Sequence, residues 1–201
     1  MQILLIRHGE SEADLLKVHE GRADFPLTDR GRQQAKLMAE RVKSEFPPDS
    51  IWASPLKRAS ETASTLAAAI GCSVQYEDDL MEYNNGRLAG LSYEATNKPP
   101  IPKFLHEQVE QGESAIEFRM RIESVFSRII TSSNDNRIAI VAHGGVINNI
   151  LRSFFKMPVN QEFWFKNGDT ALHLIEISEN TQLVHFLNNV SHLDELDNRR
   201  A

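Results

Sequence analysis

One cysteine, Cys72, stands alone among 201 residues, so no disulfide can close within the chain and a reducing compartment is expected. Six residues after it comes Asp78, not the arginine that a cysteine phosphatase needs, so Cys72 reads as a small packing residue. Long apolar runs are scarce. The opening run, Ile3–Ile6, is too short for a signal-peptide core or a membrane span, and the expected location is cytoplasmic. A basic excess is also lacking: 22 Lys and Arg against 28 Asp and Glu leave a formal net charge of −6. That argues against a general nucleic-acid binder but leaves room for a local basic pocket. Metal-ligand spacing is missing as well. His106-Glu107 has no second histidine one helical turn on, and His19, His173, His185 and His192 are scattered. No metal or cofactor is therefore expected. Without repeats, low-complexity tracts or Gly/Ser linkers, the chain reads as one domain over 1–190 with a polar, frayed tail over 191–201.

Strands alternate with helices. Gln2–Ile6 and Arg137–Ala142 are apolar runs typical of strands buried on both faces, and Ser50–Ala53 and Val74–Tyr76 are shorter strands. Thr28–Phe46 carries Ala35, Met38, Val42 and Phe46 at helical steps and stops at Pro47-Pro48. Ser54-Pro55 reads as a helix cap, and Ala59, Thr62, Ala63, Leu66 and Ile70 line the helix that follows, up to Gly71. Ser114-x-x-Glu117 is a capping box ahead of another amphipathic helix. A further helix runs from His143 to about Phe155, and Ala171–Ile177 with Gln182–Phe186 form a closing hairpin. Residues 78–112 are irregular and read as a lid or insertion, with "KFLHEQVEQ" as its helix. The expected fold is a three-layer α/β sandwich with a mostly parallel central sheet flanked by helices.

In such folds ligands sit beyond the carboxyl ends of the strands. Two of the buried-type strands end alike, in "IRHGE" and "VAHGG". Each sets a histidine and then a glycine where the backbone must turn and a ligand can come close. A third strand leads into the helix that carries Arg58 in its first turns. If these ends converge, Arg7, His8, Arg58 and His143 form a positive site suited to a phosphoryl dianion.

These words sit in an ordered series: "LIRHGES", "PLTDRGRQQA", "SPLKRASETA", "LMEYNNGRLAG", "GES" and "AHGGVI". The series resembles the histidine phosphatase superfamily, the phosphoglycerate-mutase-like enzymes, over nearly the whole chain. The resemblance implies that His8 is a nucleophile forming a phosphohistidine, and that Arg7, Arg58 and His143 hold the phosphoryl oxygens beside Gly144. It also implies that Glu82 is the proton donor. Asp14, Glu20, Gly21 and Arg22 fall in the family's phosphate-side loop and are further substrate-binding candidates. Asp14 stands where many members have asparagine, Glu20 where they have glutamine, and Leu88-Ala89-Gly90 replaces a usual Trp-Glu-Gly. Two carboxylates near a phosphate are unfavourable unless turned away or balanced, for which Arg22 is near in sequence.

The reading is a metal-independent phosphomonoester phosphatase acting on a small phosphorylated metabolite, as a monomer or homodimer, with no membrane or nucleic-acid partner. The alternative is a cofactor-dependent phosphoglycerate mutase. The cover between Glu82 and Gly112 is short for that, and Gly145 stands where mutases tend to have asparagine, although "GRLAGL" echoes a mutase phrase. A non-catalytic phosphate-binding module would be expected to have lost one of His8, Arg7, Arg58, Glu82 or His143, and all five are present.

Overall fold

The computed structural model describes residues 1–95, 97–159 and 163–198. One sheet of six strands runs through it: β1 (Gln2–Arg7), β2 (Ser50–Ala53), β3 (Val74–Tyr76), β4 (Arg137–Ala142), β5 (Leu172–Ile177) and β6 (Gln182–Asn189). Their spatial order is β3-β2-β4-β1-β5-β6. The first four are parallel, while β5 and β6 close the sheet as an antiparallel edge hairpin.

The apolar run of β1 is continuous because both faces are covered. Ile3 and Leu5 join one core with Phe118, Ile122 and Val125 from α4 (Ala115–Ser132) and Ile147 and Ile150 from α5 (Gly144–Phe154). Leu4 and Ile6 face the other core, with Met38 and Val42 from α2 (Asp29–Glu45) and Ala63 and Leu66 from α3 (Lys57–Ile70). Side chains alternate along a strand, so four successive buried residues serve two cores, and the three-layer α/β/α sandwich follows.

Local chemistry sets the helix starts. Thr28 caps α2, its Oγ1 accepting from the Gly31 amide at 2.9 Å. Ser114 and Glu117 complete the reciprocal box at α4. Gly31 lets α2 press on the chain leaving β1: a Cβ there would stand 2.1 Å from the Glu10 carbonyl oxygen. The short α1 (Glu12–Leu16) lies between them.

Three local expectations are corrected. Ser54 does not cap α3, which starts at Lys57 after Leu56; its hydroxyl instead bonds His143 and the Leu56 amide. "KFLHEQVEQ" makes turns rather than a helix. The Glu107 carboxylate accepts from the Lys103 and Phe104 amides, which fixes a single turn, and only Val109 of the stretch is buried. The segment from 78 to 112 as a whole is irregular, with two 3-10 turns at Asp78–Leu80 and Gly86–Leu88. The tail does not fray at Ser191. Ser191–Leu193 is a 3-10 turn and Asp194–Asn198 a short helix, α6. Leu193 is buried, and Arg41 donates to the Ser191 hydroxyl at 2.7 Å. Its overall polarity masked one apolar anchor. The expected tail beyond Asn198 lies outside the described residues.

Candidate active site

Parallel pairing brings the two His-Gly words together. In the β1–β4 register Arg7 pairs with Ala142, so His8 and His143 leave the sheet side by side, with ring centroids 5.2 Å apart. The His8 amide donates to the Ala142 carbonyl at 3.0 Å, and the Ser54 amide to the Val141 carbonyl at 3.1 Å. The ends of β1, β2 and β4 thus share one floor.

His8 is almost wholly buried. Its Nδ1 lies 2.8 Å from the Gly9 carbonyl, which can only accept, so Nδ1 carries the proton. At the other nitrogen, Arg58 Nε donates to Nε2 at 3.3 Å, which requires a lone pair there. Burial, then the charges of Arg58 and Arg7, hold the imidazole well below its ordinary pKa. The ring is therefore neutral at physiological pH, with Nε2 as its basic nitrogen.

His143, also fully buried, is held well below its ordinary value by burial and then by Arg58, His8 and Arg7. Its Nε2 lies 2.8 Å from the Ser54 hydroxyl, whose oxygen also accepts from the Leu56 amide. The hydroxyl can donate to Nε2, and in that tautomer Nδ1 is the N–H donor. That Nδ1 is buried without a partner.

Arg58 has no exposed surface. It donates to the Ala23 and Gly21 carbonyls at 2.9 and 2.8 Å as well as to His8, so it fastens the loop after Gly21 to the floor. Arg7 lies nearer the opening, donating to the Asn167 carbonyl at 2.8 Å and pairing with Asp169 at 3.2 Å.

Glu82 hangs from the irregular segment. Its Oε1 accepts from the Tyr83 amide and its Oε2 from the Gly145 amide, both at 2.8 Å. A Cβ on residue 145 would fall 2.3 Å from Glu82 Oε1, so the second glycine of "HGG" is what lets the carboxylate dock on α5. Burial raises the Glu82 carboxyl above its ordinary value despite these two amides. Arg121, which the sequence reading passed over, braces the segment by donating to the Asp79 and Met81 carbonyls at 2.7 and 2.9 Å and pairing with Glu113.

The loop candidates separate. Glu20 lies in the site: its Oε2 is 3.7 Å from Arg58 Nε and 3.9 Å from His8 Nε2, and Ser11 Oγ donates to its Oε1. Asp14 is not brought in. Its Oδ2 accepts from the Ser11 amide at 2.8 Å and caps α1 on the protein surface. Ser11-x-x-Asp14 has capping-box spacing, and that local bond decides its direction. Arg22 pairs with Glu113 at 3.8 Å and donates to the Glu82 carbonyl, so it balances neither Asp14 nor Glu20. Gly21 contributes its carbonyl to Arg58, and Gly144 lines the cavity.

Above this floor opens a cavity of about 550 Å³ lined by Arg7, His8, Glu20 and Glu82 at one end. It continues past Phe118 to Arg119, Arg152 and Trp164, none of which the sequence reading had singled out. The signal for Arg119 and Arg152 was an arginine inside each apolar helix pattern; Trp164, in an irregular stretch, had none. Among the described residues, no cluster of three or more His, Cys, Asp or Glu could hold a metal ion, and no helix is long and apolar enough to cross a membrane.

Comparison with known proteins places this geometry. The family model for the histidine phosphatase superfamily (branch 1) matches residues 3–190. Phosphoglycerate mutase-like protein 4 of Arabidopsis thaliana is 35% identical over 158 residues, 74% of this chain and 69% of that one. A probable phosphoglycerate mutase GpmB of Erwinia tasmaniensis is 28% identical over 97% of this chain and 96% of its own length. Among solved structures, the alpha-ribazole phosphatase of Shigella flexneri superposes with a TM-score of 0.84 at 25% identity, covering 94% of this chain and 97% of that one. A phosphoserine phosphatase of Entamoeba histolytica bound to phosphoserine gives 0.80 at 26%, covering 96% and 98%.

Proposed function

Because the chain belongs to the histidine phosphatase superfamily, branch 1, we propose that it is a phosphomonoester phosphatase that works through a phosphohistidine, without a metal, on a small phosphorylated metabolite. The observation that carries this reading is His8: a buried neutral imidazole with its unprotonated Nε2 among cations and opposite a carboxyl of raised pKa. Neutral imidazole is the nucleophilic form.

In this scheme the incoming phosphoryl group replaces His8 as the acceptor for Arg58 Nε. Nε2 attacks phosphorus as the bond to the ester oxygen breaks. Arg7, Arg58 and the Nδ1–H of His143 take up charge on the phosphoryl oxygens. Protonated Glu82 gives its proton to the leaving alcohol. Water then attacks the phosphohistidine, Glu82 takes a proton from it, and inorganic phosphate leaves with His8 restored.

The curated relatives named as mutases keep isomerisation on the table as a second outcome. A wild-type digest of phosphomonoesters, p-nitrophenyl phosphate included, with excess chelator should release phosphate, and 3-phosphoglycerate with a trace of bisphosphoglycerate should isomerise slowly or not at all. The transient label should survive alkaline quench, vanish in acid, and be missing in His8→Ala. An active His8→Ala protein, or an isomer forming much faster than phosphate, would overturn this reading.

A further inference from the structure

The cavity is larger than a phosphoryl group requires, and its far end has its own chemistry. Arg152 lies eight residues beyond Gly144 on α5, about 12 Å along a helix rising about 1.5 Å per residue. It is 95% buried yet lines the cavity. Its Nη2 donates to the Phe163 carbonyl, the Trp164 ring lies 5.7 Å from its guanidinium carbon, and its Nε is buried without a partner. Among the described residues, no carboxylate pairs with it.

Its neighbour Arg119 differs. Arg119 pairs with Glu123 at 2.6 Å and donates to the Asn149 and Met157 carbonyls. Among the described residues, two arginines and one carboxylate leave one positive charge here. Burying a cation without an anion is costly. A surface arginine that merely covers apolar area keeps its head in water, which Arg152 does not. One uncompensated positive charge matches a monoanion better than a second phosphate dianion. The walls of the same cavity also include Phe118, Leu105 and Val159, apolar surface that suits a hydrocarbon spacer.

We propose that this end is a carboxylate subsite with Arg152 as its donor, so that the substrate is a phosphomonoester of a hydroxy acid whose carboxylate is set off from the phosphate by an apolar spacer. The substrate part of this proposal rests on the phosphatase reading; the anion site does not.

The test separates the two. Calorimetry on the intact protein compares ω-phosphono carboxylic acids of three to eight carbons with alkyl phosphonates of equal length, none of which can be turned over. A charge-assisted hydrogen bond of usual strength predicts a preference of roughly 10–100-fold for the acid at the best-fitting length. Arg152→Gln should reduce it to a few-fold, and Arg152→Lys should keep part of it. The chain-length series on the wild type needs no variant, so a misfolded Arg152→Gln protein does not blunt the test. No carboxylate preference at any length overturns the subsite. Tighter binding of α,ω-bisphosphonates than of the phosphono acids overturns the carboxylate assignment. A clear preference with no hydrolysis of any phosphomonoester supports the subsite and refutes the phosphatase reading instead.

Discussion

Glu20 occupies the place that an incoming phosphate needs. Its Oε2 is 3.7 Å from Arg58 Nε and 3.9 Å from His8 Nε2. At an effective dielectric of about 20, unit charges at that separation attract by about 4.5 kcal/mol. Glu20 is one-fifth exposed, so screening reduces the pair to a fraction of this. A phosphoryl dianion at His8 both displaces that pairing and meets the carboxylate at roughly 5 Å. Two negative charges against one at that distance repel by about 1.7 kcal/mol with the dielectric of water and about 6.6 kcal/mol at a dielectric of 20. Glu20 can swing aside on its Ser11 bond, so the low end, about 2 kcal/mol, is the working value.

Glu20→Gln keeps an oxygen for Ser11 Oγ and removes the charge. KM for a simple phosphomonoester should fall by about 10–30-fold. The gap between variant and wild type should narrow at about 1 M salt, where the Debye length is about 3 Å. A second signature follows from Glu82, since the Glu20 charge is one of the influences that raise its carboxyl. Removing that charge should shift the alkaline limb of the pH–rate profile downward. Steady-state kinetics at two salt concentrations across pH, with a melting curve to confirm folding, measures all three. An unchanged or higher KM in a folded Glu20→Gln protein, with the limb unmoved, would refute the reasoning.

Glu82→Gln should slow hydrolysis of an alkyl phosphate by about 10²–10⁴-fold and that of p-nitrophenyl phosphate much less, since nitrophenolate leaves without a proton; equal losses would argue against proton donation. Because the acid must be protonated and its pKa is raised, the wild-type rate on alkyl phosphates should decline as pH rises through that pKa, and a flat alkaline side would contradict the assignment. His173 tests stability. Burial lowers its pKa from 6.5 to about 4, so the unfolded chain binds the extra proton first. Its contribution is intact above pH 6.5, is lost as pH falls toward 4, and is level below. The slope in that window is at most about 1.4 kcal/mol per pH unit. Denaturant titrations at several pH values should show a shallower slope in His173→Asn; an identical slope would exclude His173 as a source of acid lability.

Short-range features were legible in the sequence. The two His-Gly words, the capping boxes and the helix stripes each depend on neighbours a few residues apart, and β1 and β4 announce their double burial in their own composition. The pairing of the two words follows from parallel adjacency, which alternation of strands and helices implies. What escaped depends on distant parts of the chain. "KFLHEQVEQ" has helical-looking residues, but its glutamate caps one turn and little of it meets the core. Asp14 is the exception: family position makes it a binding candidate, but the local Ser11-x-x-Asp14 spacing sets its direction. Arg119 and Arg152 sit within apolar helix patterns where an arginine is out of place. Only the packing of α4 on α5 shows that they share a cavity with His8.

The distribution of charge explains why one departure from the family pattern matters more than another. Arg7 pairs with Asp169, Arg22 and Arg121 share Glu113, and Arg119 has Glu123. Asp169, Glu113 and Glu123 do not line the open cavity. These anions hold their arginines in place without standing before the nucleophile. Arg58 is the exception, because its carboxylate, Glu20, faces His8. Asp14 spends its charge on a helix cap at the surface, whereas Glu20 competes directly for the group that a phosphate must win. Selection against weak phosphate ligands is then built into the resting site. A substrate that also reaches Arg152 gains a second ion pair toward displacing Glu20, which links the two ends of the cavity through one energetic requirement.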